Sequence, residues 1–207
     1  HFPKRKIYKQ GEPIRIIHHC TPWRGLNVLL LAMQMLKSTH VTLDVYSSCN
    51  VYGSEFAKDH EDAFKLLYEQ AKSLPNVNYI GFKPHEYILE HLTDYDLFVY
   101  PCIFEETFCA SALEALAAGT HVITTNFGAL PETCSEWPAY VNYSQNHELF
   151  AASFAQAIEV AIAYLHTNDI QNHLEEQQKF YKRFYNWNKK GQEWTNFLKG
   201  ALRVKGL

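Results

Sequence analysis

The chain lacks the features that mark several large protein classes. No run of 18 or more apolar residues is present, so the sequence predicts no membrane-spanning helix. A net charge of −3 over 207 residues argues against a protein that coats nucleic acid. No signal-peptide pattern, internal repeat or low-complexity segment appears. With 47% hydrophobic residues, the composition predicts a globular domain, which we expect in the cytoplasm.

Paired cysteines and metal-ligand spacings are also missing. The five cysteines are scattered, odd in number and form no C-x-x-C pair, which predicts reduced thiols rather than a disulfide or a zinc site. The Asp94-Tyr95-Asp96 triplet is predicted to open a strand, as a solvated turn at the end of the sheet away from any ligand. The sequence therefore predicts no bound metal and no cofactor.

Two common phosphate-binding motifs are absent as well. No Gly-x-Gly-x-x-Gly follows the first predicted strand, which argues against a dinucleotide site of the dehydrogenase type. No Gly-Lys-Ser/Thr loop of the Walker type exists either. Any phosphate site must therefore be built from other residues.

Strand and helix patterns alternate through the first two thirds of the chain. We predict strands at 14–19, 41–46, 77–80, 97–100, 121–125 and 139–141, and helices at 26–37, 59–74, 84–92, 109–118, 147–166, 169–182 and 189–202. This order predicts an α/β protein with a Rossmann-like, doubly wound parallel sheet. We expect a linker tail at 1–13, the Rossmann-like domain at 14–146, and C-terminal helices at 147–207 that pack on the same domain.

The stretch from Tyr100 to Glu132 contains two carboxylates of particular interest. Glu106 precedes a predicted helix and Glu114 lies inside it, eight positions later, which is a little over two helical turns. Taken alone, Glu106 is a helix-N-terminal acid that complements the dipole, and Glu114 is a solvated helix residue. The order of the surrounding residues favours a functional interpretation.

That order resembles the donor-site signature of retaining GT-B-fold glycosyltransferases of the family-4, or group 1, type. The signature runs from a Glu over seven residues to Glu-Ala, then through a small-residue run ending in Gly and a Val-Ile strand to Pro-Glu. The matching residues here are Glu106, Glu114-Ala115, Ala117-Ala118-Gly119, Val122-Ile123 and Pro131-Glu132. The chain departs from the signature at Thr107-Phe108-Cys109, where Gly-Phe-Gly is common, and at His121, where a Pro is usual.

The resemblance implies the C-terminal, donor-binding domain of an enzyme that takes a nucleotide diphosphate sugar, UDP- or GDP-linked. It implies retention at the anomeric carbon, no metal, and an N-terminal acceptor domain that this sequence does not contain. Glu106 is implied as the catalytic residue, on the donor-sugar hydroxyls, and Glu114 as the residue on the ribose hydroxyls. The backbone amides of Thr107 to Ala110 are implied at the sugar and phosphate, and we expect the fragment alone to be inactive.

Two further loops complete the predicted site. Trp23-Arg24-Gly25-Leu26 resembles the family's Arg/Lys-Gly-Leu, with Arg24 and the helix start at the diphosphate. The family's second basic group is missing, and His19-Cys20 stands near its place. Gly81-Phe82-Lys83-Pro84 is similar to the loop that cups the base. The alternatives are a surface arginine and an ordinary strand-to-helix turn. The full set of predicted donor-binding residues is Arg24, Gly25, Gly81, Phe82, Lys83, Thr107, Phe108, Cys109, Ala110 and Glu114.

The aromatic residues near the C-terminus are predicted to pack into the core. Tyr185-Asn186-Trp187 followed by Trp194 resembles the family segment that packs the last helix. Two other functions remain open at this point: a non-catalytic nucleotide-sugar binding module, and a flavodoxin-like regulatory or interaction domain.

Overall fold

The structure is a computed structural model that describes residues 4–204. These form one parallel sheet with the strand order β3-β2-β1-β4-β5-β6. The strands are β1 (Ile14–His18), β2 (Val41–Val45), β3 (Val77–Tyr79), β4 (Leu97–Tyr100), β5 (His121–Thr125) and β6 (Ala139–Val141). The strand order reverses between β1 and β4, where doubly wound sheets place a ligand crevice. The predicted α/β Rossmann-like fold is confirmed.

Helices cover both faces of the sheet, which explains why β4 and β5 are buried along their whole length. One face packs under α1 (Leu26–Met35), α3 (Lys65–Ser73) and α7 (His147–Tyr164). The other packs under α4 (His85–His91), α5 (Ala110–Ala118) and α8 (Asn168–Phe184). The remaining helices are α2 (Ser54–His60), α6 (Leu130–Cys134) and α9 (Trp187–Val204). The predicted stop of α5 is confirmed: Gly119 has φ 80° and caps the helix.

The predicted helix over 59–74 is wrong in its first half. A 3-10 turn, Glu61–Phe64, separates α2 from α3. Glu61 turns back toward the loop after β2, where its Oε2 accepts bonds from the Cys49 amide at 2.6 Å and the Ser48 hydroxyl at 3.2 Å. A continuous helix would not let the carboxylate reach that loop. The short helix α6 follows the Gly128 turn and was not predicted.

The predicted solvated turn at Asp94-Tyr95-Asp96 is wrong for its last two residues, since Tyr95 and Asp96 are both buried. Asp96 is buried at the start of β4, where its carboxylate accepts the Arg15 amide at 2.9 Å and pairs with Lys6 at 3.4 Å. Burial raises the pKa of Asp96, while these contacts act in the opposite direction. The triplet does lie at the amino end of the sheet, as predicted.

The prediction that the C-terminal aromatics pack into the core is wrong for the start of α9. Trp187 is 91% exposed and Trp194 is 62% exposed, and Tyr185 is also on the surface. The apolar side chains of α9 fall on one face at helical spacing, and Trp194, Phe197, Leu198 and Leu202 on that face are each more than half exposed. The prediction of a helix over 189–202 is confirmed, whereas the predicted core packing of its aromatic residues is not.

The predicted tail at 1–13 extends beyond the described residues at its first three positions. Residues 4–13 form no helix or strand, yet Tyr8 is buried and Arg5 bonds the Gln171 side chain at 2.8 Å. Residues 205–207 also lie outside the description.

Within residues 4–204 no single helix is long and apolar enough to cross a membrane; only the bent pair His147–Tyr164 with Asn168–Arg203, at 105°, has the length and composition.

Candidate functional site

Five loops meet at the carboxyl edge of the sheet. They follow the strands β1 to β5, at 20–25, 46–53, 80–84, 101–109 and 126–129. Because all the strands are parallel, their carboxyl ends point to the same edge. The predicted donor-binding residues in the loops after β1, β3 and β4 are therefore brought together, and the loops after β2 and β5 add residues that were not predicted.

The turn between Arg24 and α1 packs directly against the end of β4. Gly25 has φ 105°, and a Cβ added there would lie 2.0 Å from the carbonyl oxygen of Pro101. Only glycine tolerates both the backbone conformation and the close approach. This close packing places the Arg24 side chain next to the loop that contains Glu106.

Glu106 is a buried carboxylate held through one of its two oxygens. Its Oε1 lies 3.1 Å from Arg24 Nη1 and accepts the Tyr100 hydroxyl at 2.5 Å. No donor of the described residues reaches Oε2. Glu106 is 6% exposed, whereas the neighbouring Glu105 points to solvent. The structure therefore distinguishes the two adjacent glutamates, and the buried one faces the arginine.

The backbone of Glu106 is clamped by the loop after β5. Gly128 has φ 60°, and a Cβ there would lie 2.7 Å from the Glu106 nitrogen. The Ala129 amide donates to the Glu106 carbonyl at 2.8 Å. The sequence marks Gly128 as a turn residue, but its contact with Glu106 depends on the pairing of β4 with β5.

Two aromatic rings flank Arg24. Its Nη2 lies 3.3 Å from the Tyr52 hydroxyl, and its guanidinium lies 4.8 Å from the centre of the exposed Phe104 ring. Such a stacked guanidinium keeps hydrogen-bonding capacity in its own plane. Neither Tyr52 nor Phe104 was predicted, because each comes from a loop whose course only the folded chain defines.

The loop after Glu106 leads into α5 through a strained residue. Cys109 has φ 71° and ψ 79°, a conformation that glycine adopts freely and that costs other residues about 1–2 kcal/mol. This is the position at which the family pattern commonly has glycine. Cys109 is buried, whereas Thr107, Phe108 and Ala110 are exposed around it. Burial raises the pKa of the Cys109 thiol well above its usual value, so it stays protonated.

Glu114 is not a solvated helix residue. Its side chain is 19% exposed, and its Oε1 lies 2.8 Å from Nε2 of His85. Burial raises the pKa of Glu114, and the contact with His85 opposes that shift. His85 is the first residue of α4, directly after the predicted base-binding loop, and it was not predicted as a site residue. This pair joins that loop to α5.

The loop after β3 has the predicted glycine in a left-handed backbone conformation. Gly81 has φ 78°, and the nearest protein atom to an added Cβ is in Tyr79 at 3.7 Å. The backbone conformation by itself therefore favours glycine at this position. Phe82 is exposed, and Lys83 Nζ lies 5.3 Å from the centre of the Tyr87 ring.

Unpartnered polar atoms are concentrated at this same edge. Among the described residues, ten buried side-chain nitrogens and oxygens have no hydrogen-bond partner. Five of them follow or end β1 and β2: His18 Nε2, His19 Nε2, Thr21 Oγ1, Arg24 Nε and Ser47 Oγ. Because buried polar groups in proteins are nearly always paired, these atoms are available to ordered water or to a polar ligand at this edge.

The two histidines are neutral in the folded chain. Burial lowers the pKa of His18 to about 4 and that of His19 to about 3. His18 Nδ1 lies 3.1 Å from the Val99 carbonyl, which can only accept, so Nδ1 carries the proton and Nε2 is a free acceptor. Within residues 4–204 no three His, Cys, Asp or Glu side chains are grouped to hold a metal ion.

The fold is a doubly wound α/β domain whose polar loops gather at the β1/β4 switch point, the place at which such sheets bind their ligands. A model of the glycosyl transferases group 1 family matches residues 1–186, and the chain belongs to that family. The resemblance found in the sequence is thereby confirmed. A comparison with curated protein sequences gave no match.

Three solved structures illustrate the fold at low sequence identity. Sucrose-phosphate synthase from Thermosynechococcus elongatus is 20% identical, with a TM-score of 0.68, over 94% of this chain and 46% of its own. Anabaena HepE in complex with UDP-glucose is 17% identical, with a TM-score of 0.70, over 92% and 49%. The trehalose 6-phosphate synthase of Burkholderia multivorans is 11% identical, with a TM-score of 0.64, over 94% and 45%. The chain thus spans about half the length of the proteins it resembles.

Proposed function

We propose that this domain binds the nucleotide diphosphate sugar of a retaining, metal-independent glycosyltransferase. The observation that carries the proposal is the pairing of Arg24 with Glu106 at the carboxyl edge of the sheet. The Arg24 guanidinium lies beside the buried Glu106 carboxylate, which uses only its Oε1. A sugar nucleotide presents two adjacent groups that suit this pair, a diphosphate for the cation and sugar hydroxyls for the carboxylate. The alternative of a flavodoxin-like interaction domain gives no reason for this pair.

Three of the predicted residues, Arg24, Glu106 and Glu114, have a chemical role in the proposal. Arg24 and the amino end of α5 stabilise the charge of the diphosphate, which is also the leaving group. Glu106 accepts a hydrogen bond from a hydroxyl of the donor sugar through Oε2. We do not assign Glu106 as a covalent nucleophile. Glu114 accepts the ribose hydroxyls, and His85 orients it.

Complexes of HepE with UDP and with UDP-glucose support uracil as the first base to test here. The transfer reaction itself belongs, in the proposal, to the longer protein. The chain spans about half of each similar structure, and closure of two domains on the substrate is what assembles such a site. We therefore expect the 207-residue chain to bind nucleotide weakly and to transfer no sugar.

The test is thermal unfolding of the 207-residue chain with UDP, GDP and ADP at equal concentration, with and without EDTA. We expect one nucleoside diphosphate to raise Tm by mass action, and the increase to persist in EDTA. Absence of any increase would contradict nucleotide binding. An increase that needs added Mg²⁺ or Mn²⁺ would contradict metal independence. A transfer assay on the full-length protein then separates an enzyme from a non-catalytic binding module.

A further inference from the structure

Tyr100 is the last residue of β4 and lies directly beneath the candidate sugar contact. Its side chain is fully buried and packs against Phe98 and His18, with ring centres at 5.9 and 6.1 Å. Its hydroxyl reaches Glu106 Oε1 across the loop that connects the two residues. A strand residue therefore anchors the side chain of a loop residue.

The direction of this hydrogen bond is determined by chemistry. A carboxylate only accepts, so the Tyr100 hydroxyl donates to Glu106. The Cys102 thiol, 3.2 Å away, donates weakly to the same hydroxyl. Burial raises the pKa of Tyr100 far above its usual value, so the phenol keeps its proton throughout the working pH range.

The two groups on Oε1 respond differently to a diphosphate. Arg24 is partly exposed and carries a full positive charge, so a bound diphosphate competes with Glu106 for its guanidinium. Tyr100 is fully buried, and Glu106 is the one carboxylate that its hydroxyl reaches among residues 4–204. When the diphosphate engages Arg24, Tyr100 remains as the group that holds Oε1.

We infer that Tyr100 is a positioning residue for donor-sugar recognition. Its hydroxyl holds Oε1 of Glu106, and the clamp by Gly128 and Ala129 holds the backbone, so that Oε2 is presented to a sugar hydroxyl. Because Oε2 is held in place before the ligand binds, it increases the affinity for the donor sugar and adds little to the affinity for the nucleotide. The inference rests on the proposed function of the site.

The test compares Tyr100→Phe with Tyr95→Phe. Tyr95 is the matched control, because it is also buried and its hydroxyl also donates to a carboxylate, Asp44 Oδ2, at 2.7 Å. Calorimetry measures UDP against UDP-glucose, and GDP against GDP-mannose, on both variants. For Tyr100→Phe we expect unchanged affinity for the diphosphate and a loss of about tenfold for the sugar nucleotide. Tyr95→Phe should lower Tm and leave the ratio of the two affinities unchanged.

A double variant separates positioning from packing. In a Glu106→Ala background the acceptor for the Tyr100 hydroxyl is gone, so adding Tyr100→Phe should cost no further affinity for the sugar nucleotide. An equal loss for diphosphate and sugar nucleotide, or an equal loss in both backgrounds, would show that Tyr100 only packs the core. An unchanged affinity ratio would also overturn the inference.

The failure of the proposed function gives a different result. If the wild-type chain binds none of the four nucleotides, the proposed function and the positioning role both fail. The contact itself is judged without ligand, from the Tm values of the two single variants and the double variant. If the Tm decrease of the double variant differs from the sum of the two single decreases, Tyr100 and Glu106 interact in the folded chain. If it equals that sum, the contact is contradicted.

Discussion

Two buried carboxylates of this domain, Asp44 and Glu106, are held by the same kinds of residue. They differ in whether the second oxygen also has a hydrogen-bond donor. Asp44 accepts Tyr95 and Arg15 on Oδ2, at 2.7 and 3.2 Å, and Asn78 on Oδ1, at 2.8 Å. Glu106 likewise accepts a tyrosine and an arginine on Oε1, but its Oε2 has no donor among the described residues.

This difference separates a structural carboxylate from one that is available to a ligand. A buried carboxylate with donors on both oxygens rigidifies the fold and leaves no free oxygen for a ligand. Oε2 of Glu106 has no donor among residues 4–204 and is not one of the fully buried unpartnered atoms, so it remains open to a ligand hydroxyl. The neighbouring unpartnered atoms of His18, Thr21 and Ser47 support the same distinction, since they lie at the Glu106 edge.

The largest expected effect concerns acid stability at the ligand edge. His18 and His19 have folded pKa values of about 4 and 3, below the unfolded value of about 6.5. Between these values the unfolded chain binds more protons, so stability is full above pH 6.5 and falls as pH decreases toward 4. Each histidine contributes a loss on the order of 1.4 kcal/mol per pH unit in that window. Urea unfolding from pH 7 to 4.5 measures it.

The control for the acid experiment is a histidine outside the site. His18→Gln should lower the slope of the pH dependence by about 1.4 kcal/mol per pH unit, while His19 and the buried His121 retain their contributions. Replacing the exposed His40 by Gln should leave the slope unchanged. A stability that is constant between pH 6.5 and 4.5 would contradict the buried, neutral state of both rings.

The next effect tests the arginines of the two clusters. Arg24→Ala should weaken UDP binding about ten- to hundredfold, because a charge-assisted bond is worth about 1.5–3 kcal/mol. Binding of uridine, which has no phosphate, should change little. Arg15→Ala, at the Asp44 cluster, should leave both affinities unchanged. Calorimetry decides, and equal losses for UDP and uridine would mean that Arg24 only supports the fold.

Glu114→Gln should weaken UDP and UDP-glucose alike, by about tenfold, because the ribose is common to both ligands. Binding of 2′-deoxy-UDP should be less affected than that of UDP. Glu106→Gln provides the contrast, since it should weaken UDP-glucose and spare UDP. If Glu114→Gln affects only the sugar nucleotide, the two roles are reversed.

The satisfied carboxylate should matter for stability alone. Asp44→Asn leaves the Arg15 charge without its partner and introduces an amide donor beside the Asn78 amide and the Tyr95 hydroxyl. We expect a loss of about 1–2 kcal/mol in the free energy of unfolding, with nucleotide affinity unchanged. Chemical denaturation and calorimetry on the same variant test both parts, and a loss of UDP affinity would break the comparison.

The smallest effect is expected on α9. Trp187→Ala should change the free energy of unfolding of this chain by less than about 0.5 kcal/mol, because the ring has almost no contacts to lose. Tyr181→Phe on α8 should cost more, since its hydroxyl bonds the Cys134 carbonyl at 2.9 Å inside the core. A large loss from Trp187→Ala would show that α9 packs against the domain in solution.

Local patterns predicted the elements better than their breaks. The buried strands and the Gly119 helix stop followed from apolar runs and glycine placement. The interruption at Glu61 did not, because its cause is a hydrogen bond to Cys49, twelve residues earlier. The exposed face of α9 shows the same limit, since periodicity indicates that a face is apolar and does not identify its partner.

For the site, the sequence predicted the charged residues but not their hydrogen-bond partners. Arg24, Glu106 and Glu114 were identified from the order of residue types, and the strand order brought their loops to one edge. Their partners were not identified. His85 reaches Glu114 across 29 positions, and Gly128 touches Glu106 because β4 pairs with β5. Contacts of this kind have no local signal.

By itself, the sequence determined the parallel sheet, the identity of the acidic and basic groups, and the family to which the chain belongs. The tertiary structure alone decided which oxygen of Glu106 is used and which is free. That outcome depends on the β1–β4 pairing, which brings the Arg24 turn against Pro101, and on Tyr100 pointing from β4 toward the loop. The physical reason is distance: hydrogen-bond partners are selected within about 3 Å in space, and strand register sets which distant residues come that close.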